Sequence, residues 1–144
     1  MAVTNSVLVN DGGAPARIMN FLASEIILAG KVCEIITHAS GPKVQMHDSP
    51  NSAVAGFALV DAAADGMASV VTGKGIILNV HLDGATAIAI GDDLEVGTAG
   101  ALVKAGVVTA TDELREVCAV ALEATSVAAA DNLIAGALFK VLVL

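Results

Sequence analysis

From residue 30 onward, apolar positions come in short β-branched runs separated by Gly, Pro, Asn and Asp. The run 31–38 ends at Ser40-Gly41-Pro42, and 43–47 ends at Asp48-Ser49-Pro50-Asn51. Further runs span 53–60, 67–72, 75–82, 85–90, 93–96 and 101–104, and the last two span 117–123 and 133–144. Short strands at regular spacing with turn chemistry between them predict an all-β chain, a small barrel or sandwich with room for one or two short helices. Two stretches fit more than one period. Ile18, Leu22 and Ile26 suit a helix face as well as a strand pair, and the pattern leaves both open. Residues 117–124 could also be helical, since Leu114, Val117, Ala121 and Leu122 share a face, but the repeat described next favours a strand. Residues 1–17 are polar and punctuated, with 3–9 as a short strand before Asn10-Asp11-Gly12-Gly13 and Pro15. They are expected to form an extended N-terminal arm ahead of a single β domain at 18–144.

A degenerate duplication runs through that domain. Gly30-Lys31-Val32-Cys33-Glu34-Ile35 and Gly91-Asp92-Asp93-Leu94-Glu95-Val96 share the pattern Gly-x-x-apolar-Glu-apolar at an offset of 61 residues. Phe57-Ala58-Leu59-Val60 answers to Val120-Ala121-Leu122-Glu123 at an offset of 63, and the Ala-rich segments around Asp65 and Asp131 match at 66. Growing offsets fit insertions in loops, giving two pseudo-repeated β units at about 30–82 and 91–144. Inside them, a hairpin across Gly97-Thr98-Ala99-Gly100 would set Asp93 opposite Lys104, and one across Ser40-Gly41-Pro42 would bring Glu34 near His47. Both contacts are expected on solvated sheet faces.

Composition narrows the function classes. Of the 144 residues 56% are hydrophobic and only 15% are charged, which excludes disorder. Seven Lys and Arg against fifteen Asp and Glu give a net charge of −8, the wrong sign for a nucleic-acid backbone. With three Phe and no Trp or Tyr, stacking platforms for bases or sugars are missing. The apolar residues are mostly small, 28 of them Ala, and few charges remain to cover an exterior. A surface of that kind predicts contact with other protein chains, as a homo-oligomer or a lattice component. The charge-free run between Asp48 and Asp61 is too short for a membrane span, and the N-terminal residues lack a signal-peptide pattern.

Candidate chemistry is sparse. His38, His47 and His81 could ligate a metal with Glu34 or Asp48, but no metal-type spacing occurs, and His47 and Asp48 would point to opposite faces of a strand. Cys33 and Cys118 sit inside apolar runs, where reduced buried thiols are expected ahead of one long-range disulfide. Thr72-Gly73-Lys74-Gly75 lacks the first Gly and the following Ser or Thr of a phosphate loop and reads as a tight turn. A carrier role with Lys74 modified at that turn is a weaker idea. Asp92-Asp93 and Glu113/Glu116 stand beside turn residues and read as solvated. No catalytic residue, cofactor site or metal site is therefore assigned, and no enzymatic activity is expected. The rival from another class is a small β-barrel metal-binding enzyme using His38, His47 and His81.

The second half of the chain carries a resemblance. Ala87-Ile88-Ala89-Ile90-Gly91-Asp92-Asp93-Leu94-Glu95-Val96, then Gly100-Ala101-Leu102-Val103-Lys104, resembles the capsid decoration (cement) proteins of tailed bacteriophages. So do Val117-Cys118-Ala119-Val120-Ala121-Leu122-Glu123-Ala124 and the closing Phe139-Lys140-Val141-Leu142-Val143-Leu144. The likeness is best over 87–144, weaker over 53–80, and absent over 1–28. It implies a β-rich homotrimer, made in the host cytoplasm, on the virion exterior. Its partner there is the major capsid protein, whose shell it clamps against internal DNA pressure; neither nucleic acid nor membrane is touched directly. By analogy of position, the arm residues Val3, Val7, Leu8, Val9 and Arg17 are expected to contact the shell or a neighbouring subunit. A trimeric β-rich tail or fibre component is the nearest structural alternative.

Overall fold

The computed structural model describes residues 7–10, 16–48, 52–82, 87–106, 117–124 and 139–144. These form eleven strands and one short 3-10 turn. Five of them close a barrel in the order β2-β4-β3-β5-β6: β2 (Arg17–Ala23), β3 (Val32–His38), β4 (Gly41–Met46), β5 (Gly56–Ala58) and β6 (Met67–Thr72). The other six form a second sheet in the order β1-β7-β11-β10-β8-β9: β1 (Leu8–Asn10), β7 (Ile77–Val80), β8 (Asp93–Val96), β9 (Leu102–Lys104), β10 (Val117–Ala121) and β11 (Phe139–Val143).

The two units share one plan. The barrel reads β4-β3-β5-β6-β2, and the sheet reads β9-β8-β10-β11-β7, with every neighbouring pair in both runs antiparallel. Each repeat opens on a glycine in the left-handed region, Gly30 at φ 83° and Gly91 at φ 89°. An L side chain is disfavoured there, which is why Gly recurs at the matching place. The units differ at closure. In the barrel, β2 and β4 pair in parallel at Leu22↔Lys43 and Ala23↔Val44. In the second unit the matching contact shrinks to a single parallel bridge, Leu82↔Leu102, and β1 takes the open flank of β7 instead.

Two apolar clusters follow from this. A five-stranded barrel has a narrow interior, so its filling is small: Ala23, Cys33, Val44, Ala58, Ala68 and Val70, with Ile27 and Ala62 bridged nearby. The larger cluster lies between the units. Val32, Phe57 and Val71 of the barrel pack with Leu78, Leu94, Leu102, Phe139 and Val141 of the sheet. Each such side chain stabilises by about 1.5–3 kcal/mol when fully buried. Two backbone hydrogen bonds tie the seam, His81 N–H to Gly30 O at 3.0 Å and Gly100 N–H to His47 O at 2.9 Å.

Several expectations change in detail. The ambiguous stretch 18–28 is a strand, β2, paired with β6 over six residue pairs, then a bend to the Ile27 bridge. Residues 117–121 are a strand, and the one helical element is the 3-10 turn Thr98–Gly100. Of the run 85–90, residues 83–86 lie outside the described residues, and 87–90 carry no strand beyond Ile88. The β8–β9 loop takes one more residue than expected, because Gly97 N–H closes on Ala101 O. The register therefore becomes Leu94↔Lys104, and Lys104 Nζ meets Asp92 Oδ2 at 3.0 Å instead of Asp93. In the first hairpin the turn is Ala39-Ser40, so Glu34 pairs with Gln45 and has His47 as a diagonal neighbour. The N-terminal residues are not wholly a free arm: Val7 is part of the seam cluster, and β1 is hydrogen-bonded along β7. Glu113 and Glu116 lie outside the described residues.

Gly100 offers a direct test of the seam. Its φ is +75°, and an added Cβ would stand 2.6 Å from Val32 O across the two units. Gly106, at φ +81°, has nothing within 4 Å. Gly106→Ala should cost about 1–2 kcal/mol from backbone strain alone. Gly100→Ala should cost clearly more, since Val32 O belongs to a paired strand and has no room to retreat. Urea unfolding of both variants checks the difference, and equal losses would contradict the close approach.

Candidate functional site

The histidines sit in three different settings. His38 is exposed at the end of β3, where its Nδ1 accepts the Ser40 N–H at 3.2 Å. His81 is half-buried at the seam, and burial, followed by the Lys31 ammonium, lowers its pKa from the ordinary value. His47 is 5% exposed, with its Nε2 2.8 Å from Ser52 O. Among the described residues, no three His, Cys, Asp or Glu side chains gather in a group able to hold a metal ion.

Glu34 is the most unusual polar group. It is 1% exposed, contrary to the solvated position expected: the Asp48 N–H reaches its Oε1, His47 lies beside it with its ring on Ser52 O, and the 3-10 turn docks on His47 O. Its Oε1 accepts hydrogen bonds from Gln45 Nε2 at 2.7 Å and from the Asp48 N–H at 3.3 Å. Its Oε2 has no hydrogen-bond partner and lies 4.0 Å from His47 Nε2. Burial pushes this carboxyl up, but the Gln45 and Asp48 hydrogen bonds, with Ser52 and His47 adding to them, outweigh it and hold it below 4.5. The cluster locks the β3–β4 hairpin to the segment that meets the second unit.

The remaining polar contacts are local. Lys43 reaches Asp65 Oδ1 at 2.8 Å and holds that exposed carboxyl below its usual range. The Ala89 N–H and then the Lys104 ammonium do the same for Asp92. Cys33 is enclosed in the barrel, and burial pushes its thiol up to about 12. Cys118 lies in the seam cluster, so the two free thiols belong to different cores and form no disulfide. Lys74 sits in the turn joining β6 to β7, pinned by Gly75 N–H to Val143 O at 2.8 Å.

The surface presents a different feature: a stripe of apolar side chains on the outside of the barrel. Leu22 of β2 is 41% exposed and pairs with Met67 of β6, 59% exposed. Beyond them the two tracks stay hydrogen-bonded, Ala23 N–H to Gly66 O and Ile27 N–H to Ala62 O. Ile27 and Ala62 turn inward, which leaves Ile26, at 63%, and Leu28 facing out, and Val60 is exposed on the opposite track. Ile18 continues the stripe along β2. The spacing Ile18, Leu22, Ile26 that suggested a helix face is thus an outward face of strand and bend. Of the two readings the spacing left open, helix face or strand pair, the structure has the strand. Of the five arm residues, Val7 is buried in the chain's own core and Arg17 is exposed at the start of β2. Leu8 and Val9 lie in β1, and Val3 falls outside the described residues.

The Glu34 cluster generates a pH dependence. Because the folded carboxyl is more acidic than the unfolded one, its contribution is present above about pH 4.5 and is lost as the pH falls through the folded value. Glu34→Gln should flatten the part of the stability curve that falls below about pH 4.5. Glu34→Ala should cost about 1–3 kcal/mol at neutral pH by leaving Gln45 and the Asp48 N–H without their acceptor. Denaturant midpoints across this pH range check both.

No family model matches the chain, and no curated protein matches it in sequence. Solved structures similar in fold include two phage proteins. The first is the head fiber gp8.5 N base of bacteriophage phi29, at a TM-score of 0.63 and 16% identity, covering 90% of this chain and 95% of that one. The second is a chain of the capsid of Myoviridae phage XM1, at a TM-score of 0.58 and 16% identity, covering 98% and 93%. The all-β plan of this chain, a closed barrel joined to an open copy of itself, is therefore similar over nearly its whole length to the folds of two phage head proteins.

Proposed function

We propose that the chain is a virion structural protein. In this reading it is a decoration (cement) protein that sits on the outside of a shell of major capsid protein, as a homotrimer, and stabilises it against internal DNA pressure. The observation that carries the reading is the fold likeness, which runs end to end in both phage head proteins and so is more than a shared barrel. The outward apolar stripe supports it, because such a surface is unfavourable in water and stabilising when another chain covers it. At about 25 cal/mol per Å² of apolar area, a few side chains give a weak single contact. Repetition of that contact around a lattice gives firm attachment without a tight single site.

A second reading, the base of a head fibre, is favoured by the likeness to the phi29 protein, which is itself a head-fibre base. Cryo-microscopy of virions separates the two: a fibre rising from each copy supports the base, and bare copies on the shell support decoration. Finding the chain only on tails would exclude both.

Leu22→Asp combined with Met67→Asp should leave the barrel folded, since both side chains already face outward. The pair should reduce co-sedimentation with expanded, undecorated capsids by about tenfold or more, as expected for loss of a central apolar anchor. Unchanged binding, with circular dichroism like that of the parent, would remove the stripe from the interface.

A further inference from the structure

A second surface of different chemistry lies at the other end of β2. The ends of β2 and β6 and residues of β5 meet β10 and β11 there around a half-open cleft of about 350 Å³. Its apolar lining includes Phe57, Cys118 and Val143, and Arg17 and Lys74 contribute to its wall. Arg17 pairs with Thr72, and Lys74 follows two residues later in the turn. Among the described residues, no Asp or Glu side chain lines this cleft, and neither cation lies within ion-pair distance of a carboxylate. Two cations beside an apolar cavity, on a molecule of net charge −8, form a local patch that favours an anionic group.

We infer that this cleft binds an acidic, extended segment of a partner protein other than this chain. Carboxylates of the segment meet Arg17 and Lys74, and an adjacent aliphatic side chain enters among Phe57, Cys118 and Val143. The volume suits one side chain with its backbone and is small for a larger ligand. The apolar lining gives a lone hydrated anion nothing in return for its lost water, whereas a peptide satisfies both parts. The stripe's Leu22–Met67 pair is remote: Leu22 is five residues along β2 from Arg17, roughly 17 Å at the rise of a strand. The inference goes beyond the proposed capsid role and does not need it, since the cleft would discriminate acidic peptides on the isolated protein.

The test is an amide NMR titration of the full chain with acetyl-Glu-Asp-Leu-Glu-Asp-amide and its neutral twin acetyl-Gln-Asn-Leu-Gln-Asn-amide. The acidic peptide should give saturable shifts at Thr72, Gly73 and Val117. The neutral twin should bind about tenfold more weakly, the factor expected from losing a charge-assisted hydrogen bond. Arg17→Gln with Lys74→Gln should weaken the acidic peptide by a similar factor, as should salt raised from about 20 to about 200 mM. Should the double variant fold poorly, Lys74→Gln alone, in an exposed turn, should still weaken it several-fold. Equal binding of the two peptides, or shifts confined to another surface, would overturn the inference. A fall in the sedimentation mass of the double variant would also overturn it, by making the cleft a contact between copies.

Discussion

The structure depends on the apolar seam between its two units. A closed barrel satisfies its own backbone, yet Val32, Phe57 and Val71 point out of it and need cover. The second sheet has the complementary need, because its closing parallel ladder is reduced to one bridge and its inner face would otherwise stand open. Each unit supplies what the other lacks. The hydrogen bonds at Gly30 and Gly100 then fix the relative position, and Gly100 must remain a glycine because Val32 O occupies the place of its Cβ.

That arrangement absorbs much of a composition that looks excessive for so small a chain. Narrow barrels require small filling, so Ala23, Ala58 and Ala68 are interior residues. The seam takes the larger aliphatics and two of the three Phe. Among the described residues, what remains outside includes an apolar stripe along β2 and β6 and a cationic cleft at the far end of β2, beside scattered exposed residues such as Ile35 and Ile90. An exposed apolar stripe and an apolar cleft edged by cations are both suited to contact with other protein chains.

The places where pattern reading slipped have a common physical cause. Ile18, Leu22 and Ile26 were legible as an apolar face, but periodicity does not say which side of an element meets water. The Lys104 partner moved from Asp93 to Asp92 because one extra loop residue, Ala101, shifts the register. Glu34 and His47 were placed near each other correctly and given the wrong environment. Their surroundings include Asp48, Ser52 and the 3-10 turn, which lie outside the hairpin pattern and carry no apolar signal.

The sequence by itself determined the strand-rich class, since turn chemistry and β-branched runs are local properties of the chain. It also determined the sign of the net charge and the lack of stacking residues, which composition alone reports. Only the tertiary structure decided which unit closes and which stays open, that Val7 belongs to a core, and that Glu34 is enclosed. It alone brought Arg17 and Lys74 to one apolar cleft. Those outcomes turn on register and on the docking of one sheet against another, and both are set by contacts between residues far apart in the chain.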